Sequence, residues 1–282
     1  MSGTLKLPEP TWFVGCGNMG GAILDGWRTG GLELSPVTVI RPSGKPVEGA
    51  RVVTALRDAG APPRIVVLGF KPQKLDEIAP ELRQFLSAKT VAVSLLAGVE
   101  VASLRQRFPG VGAIVRATPN LPVAVRRGVT GLYSTDVDAE AKTLLNNLFS
   151  ALGYAMWTAD EQKLGALGAV AGAGPAYVAR FIAALTKAGV KRGLTEEIAA
   201  TLAVETVLGT AWMAATTNEN MQSIAKRVAS PNGTTEAGLA VLDHNDVLDE
   251  LIALAIDAAA KRGAELAELA KMPSLEEGAS LH

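Results

Sequence analysis

Cysteine is almost absent from this chain. Cys16 is the only one in 282 residues, so no intrachain disulfide is possible, and the clustered thiols of a zinc or iron–sulfur site are missing. Histidine is nearly as scarce. His244 and His282 are the whole complement, and a two-histidine, one-carboxylate metal site would need the terminus folded back. Neither sign of charge dominates: 27 Lys and Arg face 28 Asp and Glu, which leaves no electrostatic footprint for nucleic acid or an anionic membrane. The small basic groups Arg126-Arg127 and Lys191-Arg192 read as solvated surface. The opening MSGTLKLPEP has no apolar stretch of a leader, and no run of 18 apolar residues occurs, which predicts a cytoplasmic protein that does not enter a membrane. Aromatic residues are few, at 5%, and abundant Ala and Gly predict closely packed helices.

What is present is a large apolar fraction, 48%, in a chain long enough for two domains. Thr11 to Val14 is a short apolar strand running directly into Gly15-Cys16-Gly17-Asn18-Met19-Gly20. Helical spacing follows (Met19, Ile23, Trp27) up to Gly30-Gly31. Strand, Gly-x-Gly-x-x-Gly, helix is the context that a dinucleotide fingerprint requires. Gly15 permits the tight turn, Gly17 lets the backbone approach a pyrophosphate, and Gly20 allows close helix–sheet packing. Cys16 reads as a packing residue, because no base can be placed beside it. The next strand, Val37 to Ile40, ends at Arg41-Pro42-Ser43-Gly44-Lys45, where an NAD site carries an acid. A guanidinium, a hydroxyl and an ammonium suit a 2′-phosphate, which favours NADPH. Arg41 lying over the adenine would serve NADH as well.

Further strands are predicted at Ile65 to Leu68, Thr90 to Ser94, Val111 to Val115, Val129 to Tyr133 and Ala155 to Trp157, with helical segments between. Their carboxyl ends lead into Lys71-Pro72 and into Arg116-Ala117-Thr118-Pro119-Asn120-Leu121-Pro122, where ligands of open α/β sheets sit. Stiffened by two prolines, Asn120 is placed to offer its amide to a nicotinamide carboxamide; a structural turn asparagine is the other reading. Val137 to Leu152 is an amphipathic helix closing a Rossmann-type domain over residues 1–160.

Residues 161–272 read as helical, with 273–282 a flexible tail. Thr158 and Glu161 form a plausible capping box at the start. Gly172-Ala173-Gly174-Pro175 interrupts the helix, with Pro175 in the first turn of the next. Thr195 to Ala215 is apolar nearly all round, which predicts burial against a second subunit, or else under the first domain. Ser230-Pro231-Asn232-Gly233-Thr234-Thr235 then joins two helices. Such a turn, at a helix start, can receive a carboxylate, or its hydroxyls can simply cap the helix.

These segments resemble the pyrroline-5-carboxylate reductase family over nearly the whole chain. The resemblance is carried by VGCGNMGGAI from Val14, the Lys71-Pro72 pair, RATPNLP from Arg116, AGAGPAYVARFIAAL from Ala171 and VASPNGTTEAG from Val228. It implies NADPH-dependent reduction of the C=N bond of 1-pyrroline-5-carboxylate to proline, by a homodimer or a larger assembly of dimers that interlock through the helical domain. Gly15, Cys16, Gly17, Asn18, Met19 and Gly20 would hold the pyrophosphate, and Arg41 and Ser43 the 2′-phosphate. Lys71, Pro72, Pro119 and Asn120 would line the ribose and nicotinamide. Asn232, Gly233, Thr234 and Thr235 would bind substrate, with backbone N–H groups of Gly233 and Thr234 on its carboxylate and the Thr235 hydroxyl, the catalytic candidate, on the ring nitrogen. The chain departs from the family pattern at Ala171 and Ala173, where serines are usual, at Asn232 in place of glycine, and at Asn218 in place of an acid. A related cyclic-imine reductase, a small hydroxy-acid dehydrogenase and an inactive nucleotide-binding paralogue are the alternatives. A dehydrogenase would need a base, and the nearby Lys163 and Lys187 lie in no distinctive motif.

Overall fold

The computed structural model describes residues 5–271. Its described residues divide into two compact units, 5–173 with 259–271, and 174–258.

The first unit is a doubly wound sheet. In chain order it contains β1 (Thr11–Val14), α1 (Asn18–Thr29), β2 (Val37–Ile40), β3 (Arg51–Val53), β4 (Ile65–Leu68), α2 (Leu75–Leu82), β5 (Val91–Ser94), α3 (Val101–Arg107), β6 (Ala113–Pro119), β7 (Gly128–Tyr133), α4 (Ala139–Ser150), β8 (Gly153–Trp157) and α5 (Gln162–Leu167). The strand order is β3-β2-β1-β4-β5-β6-β7-β8. All neighbours are parallel except β6 and β7.

The two-residue period of the strands divides the core between two faces. Phe13, Val67, Val93 and Val115 point to one side and pack with Ile23, Leu24 and Trp27 of α1 and with Leu145, Leu148 and Phe149 of α4. Their chain neighbours Trp12, Val14, Val66, Leu68 and Ile114 point to the other side, against Leu75 and Leu82 of α2 and Leu104 of α3. The Trp27 indole donates to the carbonyl of Leu148 at 2.8 Å, so α1 and α4 are joined by a polar bond as well as by apolar contact. Asp138 caps α4, its Oδ1 accepting from the Ala141 N–H at 2.8 Å.

Several expectations shift. β3 was not foreseen; three residues at a sheet edge carry no measurable period. β6 runs through Arg116-Ala117-Thr118-Pro119 instead of stopping at Val115, because the antiparallel β7 pairs with that stretch, Arg116 opposite Tyr133 and Pro119 opposite Thr130. The capping box at Thr158 does not form. α5 starts at Gln162, Asp160 Oδ1 accepts the Gln162 N–H, and Glu161 turns to partners elsewhere. The expected interruption before Pro175 is present, and Pro175 lies in the first turn of the next helix, which starts at Gly174. Gly168–Gly172 forms a π turn, with the Ala173 N–H reaching the Gly168 carbonyl, and helix α6 follows directly. α5 and the π turn stay with the sheet, so this unit extends past residue 160. It also includes the last part of the final helix, whose backbone at Leu266 and Ala267 lies against Gly98; a Cβ there would stand 2.8 Å from the Ala267 nitrogen.

The second unit comprises α6 (Gly174–Lys191), α7 (Glu196–Thr217), α8 (Met221–Val228), α9 (Thr234–Leu242) and the first part of α10 (Val247–Lys271). α6 and α7 pack where Gly189 meets Ala199; a Cβ added at Gly189 would stand 3.1 Å from the Ala199 Cβ. Thr195 caps α7, accepting from the Ile198 N–H. Of α7 only Ala199 and Ala203 are buried. Ile198, Leu202, Leu208 and Trp212 stay exposed, Trp212 at 54%, as do Val178 and Phe181 of α6. By length and composition the helical stretch Gln162–Lys191 and α7 are long and apolar enough to cross a membrane. The tail from 273 onward lies outside the described residues.

Candidate active site

The parallel register lines up the carboxyl ends of β2, β1, β4 and β5 beside Arg116, midway along β6. Val14 pairs with Ile40 and with Leu68, Leu68 with Ser94, and Ser94 with Arg116. The loops starting at Gly15, Arg41, Gly69 and Leu95, and the last residues of β6, 117–119, therefore emerge along one rim. This rim is where an open α/β sheet binds ligands.

Gly15 has φ +79°, and a Cβ there would stand 2.8 Å from the Phe70 nitrogen and 2.9 Å from the Gly69 carbonyl carbon. It is glycine for two reasons, its left-handed backbone and the contact with the loop after β4. Gly17 is the N-cap of α1 and its side has nothing within 4 Å of a Cβ position. No side chain caps this helix and no acid occupies its first turn. The exposed start at Gly17 and Asn18 therefore offers N–H groups and the positive end of the helix dipole to an anion. Gly20 is less constrained than the fingerprint implies. A Cβ there would meet the Cys16 sulfur at 3.5 Å, an ordinary contact. Close packing of α1 falls instead at Gly26, where a Cβ would lie 2.2 Å from the Val123 carbonyl oxygen and 2.7 Å from Leu152. That position lies outside the fingerprint, and only the tertiary fold brings Val123 to it.

Beside this helix start is a cleft of about 560 Å³ bordered by Cys16, Gly17, Asn18, Arg41, Ser43 and Lys45, among others. The Arg41 guanidinium donates to the Cys16 carbonyl at 3.1 Å, while its buried Nε has no partner. Arg41 to Gly44 close a tight turn, the Gly44 N–H bonding the Arg41 carbonyl, which holds Ser43 at the exposed tip. Two acids also border the cleft, Asp25 and Glu48, but both are ion-paired with Arg28, at 3.8 and 3.3 Å. Burial pushes the Cys16 thiol above its usual range, with Arg41 opposing; it is a protonated packing group at neutral pH. An uncapped helix start, an open glycine and an arginine with an unsatisfied donor fit a dinucleotide phosphate chain.

Lys71 is exposed and leads into a 3₁₀ turn at Pro72–Lys74 ahead of α2. Pro119 ends β6. Asn120 is buried, 6% exposed, and its amide faces inward: Oδ1 accepts the Val129 N–H at 2.7 Å and Nδ2 donates to the Ala171 carbonyl at 3.0 Å. Nearby is a group that sequence reasoning missed. Glu161 Oε1 accepts from Arg116 at 2.8 Å and from the Val101 N–H at the start of α3, also at 2.8 Å. The signal was present, since Arg116 opens the RATPNLP stretch, but its partner lies 45 residues away.

The turn before α9 belongs to the second unit. Asn232 has φ +57°, and its N–H donates to Glu236 Oε2 at 2.6 Å. Gly233 is the N-cap of α9; its N–H closes the turn onto the Ser230 carbonyl at 2.9 Å. A Cβ at 233 would collide with that carbonyl and with the Ser230 hydroxyl, both at 2.9 Å. Thr234 and Thr235 are the first two residues of the helix, and neither hydroxyl serves as its cap. Their N–H groups have no intrahelical acceptor by the geometry of a first turn.

The family model for pyrroline-5-carboxylate reductase dimerisation matches residues 161–266. A pyrroline-5-carboxylate reductase from Pseudomonas aeruginosa is 36% identical over 263 residues, covering 91% of this chain and 96% of the relative. The pea enzyme (Pisum sativum) is 33% identical, with 90% and 94% covered. The chain belongs to the pyrroline-5-carboxylate reductase family. Among solved structures, a pyrroline-5-carboxylate reductase from Coxiella burnetii superposes with a TM-score of 0.82 at 31% identity, covering 92% of this chain and 98% of that one. A Plasmodium falciparum pyrroline carboxylate reductase with NADP bound gives 0.83 at 25% identity, with 92% and 98% covered.

Three of the departures from the family pattern, at Asn232, Asn218 and Ala171, have a local structural setting. Asn232 sits at a left-handed position, where asparagine is the usual substitute for glycine. Asn218 also has a left-handed backbone, φ +57°, and ends α7 by bonding its N–H to the Ala214 carbonyl. The adjacent Glu219 is paired with Arg227 at 2.9 Å. At Ala171 it is the main-chain carbonyl that carries the contact with Asn120, so that contact does not need a serine hydroxyl.

Proposed function

We infer that this chain is a pyrroline-5-carboxylate reductase, reducing the C=N bond of 1-pyrroline-5-carboxylate to proline with a nicotinamide dinucleotide. The relationship to such reductases over nine-tenths of the chain carries this conclusion. The dinucleotide, when bound, supplies the hydride. The chain's part is to hold the two reactants in line and to keep the ring nitrogen protonated, which explains a site without a catalytic histidine or thiolate.

In the reading we favour, the backbone from Gly15 to Gly20 takes the pyrophosphate. Arg41 and Ser43 take the 2′-phosphate, and NADPH is preferred over NADH. The charge balance of the cleft supports this, since Arg28 offsets Asp25 and Glu48 while Arg41 and Lys45 stay available to an anion. Lys71, Pro72 and Pro119 line the ribose and nicotinamide from the same rim. The substrate carboxylate is received by the first-turn N–H groups of α9, at Thr234 and Thr235. Asn232 and Gly233 shape that turn, with the Gly233 N–H already committed to Ser230. The Thr235 hydroxyl faces the ring nitrogen as C=N becomes CH–NH.

A second copy of the chain covers the exposed apolar residues of α6 and α7. The dimerisation family model spans all of α7 and all of the helical stretch Gln162–Lys191 before it, which favours a homodimer, or an assembly of dimers, over a membrane-embedded protein. We place that dimer in the cytoplasm. Cofactor absorbance followed with NADPH and 1-pyrroline-5-carboxylate tests the activity. Turnover with that substrate is expected, and its absence, or turnover only with a hydroxy acid, would overturn the assignment. Mass measurement in dilute solution should find no active monomer.

A further inference from the structure

We propose that Asn120 is a positioning residue that latches the π turn at Gly168–Gly172 to the ligand rim of the sheet, replacing a hydrogen bond that Pro175 removes. The argument starts from backbone chemistry. In a continuous α-helix the carbonyl of Ala171 would accept the N–H of residue 175, and proline has none. The proline ring also crowds the carbonyl four residues before it. A carbonyl in that position is left exposed to water or needs a donor from elsewhere. Asn120 Nδ2 supplies one at 3.0 Å.

The latch is rigid at its other end. Asn120 is 6% exposed, its Oδ1 accepts from the Val129 N–H at 2.7 Å, and its own N–H bonds the Val129 carbonyl at 3.0 Å. The amide is therefore fixed on the β6–β7 connection from two sides. A π turn is a local widening of a helix and recurs at functional sites. This one sits over the end of β6, where a Cβ on Gly168 would be 3.7 Å from the Thr118 methyl. One side chain thus ties the loop at Pro119 to the π turn at Gly168–Gly172. An aspartate in place of Asn120 would keep the acceptor for Val129 but set a carboxylate against a carbonyl.

The consequence for catalysis rests on the reductase function inferred above. β6 lies three strands from β1, about 14 Å at the usual strand spacing. The pyrophosphate and 2′-phosphate contacts are on the β1 and β2 side, so loosening the latch should disturb the reacting end and spare cofactor affinity. The test is Asn120→Asp in the full-length protein, followed by steady-state kinetics between about pH 8 and about pH 5.5 and by amide exchange of residues 168–174. At the alkaline end kcat should fall about tenfold, with the KM for NADPH changed less than about twofold. Toward acid the deficit should shrink, because a buried aspartic acid held against a carbonyl protonates early and then donates as the amide did. Pro175→Ala, which restores the missing N–H, should reduce the damage done by Asn120→Asp in a double-mutant cycle. Faster exchange at 168–174 in Asn120→Asp reads the latch directly, so a wild-type protein inactive on the imine would refute the function without touching the latch. Unchanged exchange, or a loss that appears in KM at every pH, would overturn the proposal and make Asn120 a cofactor contact or a bystander.

Discussion

Replacing Gly26 with alanine should loosen both the protein and its hold on the cofactor, although alanine is the better helix former. Gly26 lies in α1, and a Cβ there would be 2.2 Å from the Val123 carbonyl oxygen and 2.7 Å from a Leu152 methyl. Ordinary carbon-to-oxygen contact begins near 3.3 Å, so the helix would have to move by about 1 Å. The propensity gain of Gly→Ala is about 1 kcal/mol. An overlap that backbone must absorb costs about 1–3 kcal/mol or more, and here the partner is a main-chain carbonyl that cannot change rotamer. Taking the upper part of that range, the net expected loss is about 1–2 kcal/mol, with about 2–4 °C of melting temperature per kcal/mol. The same rigid helix carries Gly17 at its start, so the displacement also reaches the phosphate site. Thermal melts and NADPH titration of Gly26→Ala and Gly20→Ala, side by side, check this. Gly20→Ala has an ordinary 3.5 Å contact and should hold or gain stability. A Gly26 variant as stable as wild type, beside a damaged Gly20 variant, would refute the packing argument and restore the fingerprint glycine to its usual role.

Arg41→Asp should raise the KM for NADPH far more than that for NADH, because a carboxylate would replace the guanidinium bordering the cleft; an unchanged ratio would show that Arg41 does not meet the 2′-phosphate. Thr235→Ala should lower kcat about ten- to a hundredfold with cofactor affinity and melting temperature nearly intact, since its hydroxyl does not cap α9; lost stability with normal turnover would make the hydroxyl structural. Burial raises the Asp136 carboxyl, but the Ile114 N–H, Arg105 and Ser134 outweigh it and hold the group below the usual carboxylate range. A depressed folded value stabilises above the unfolded pKa of about 4 and is lost as pH falls through the folded value. Asp136→Asn should therefore melt lower than wild type at neutral pH, and the gap should close in strong acid; a gap independent of pH would point to packing alone.

The sheet was legible because buried parallel strands are short continuous runs of β-branched residues, and Thr11–Val14, Val37–Ile40 and Ile65–Leu68 match their predicted limits to the residue. Limits failed where a partner strand or a distant side chain sets them. β6 is lengthened by β7, and Glu161 is drawn from its local cap by Arg116 and Val101. The candidate site divides the same way. Its backbone features, the open turn at Gly17 and the tight turn at Gly233, follow from glycine positions that any reader of the chain can find. Its side-chain assignments do not, because a side chain's role depends on what competes for it. Asn120 looked like an outward amide in a proline-stiffened loop, yet its donor goes to Ala171, a carbonyl that cannot accept from the residue four further on because that residue is a proline. Both halves of that exchange were present in the sequence: a proline without an N–H, and a buried amide with one to give. Only the crossing of β6 beneath the π turn brings them together. Polar groups in such a fold are best assigned by first finding which backbone carbonyls the prolines have orphaned, and only then asking what is left for a ligand.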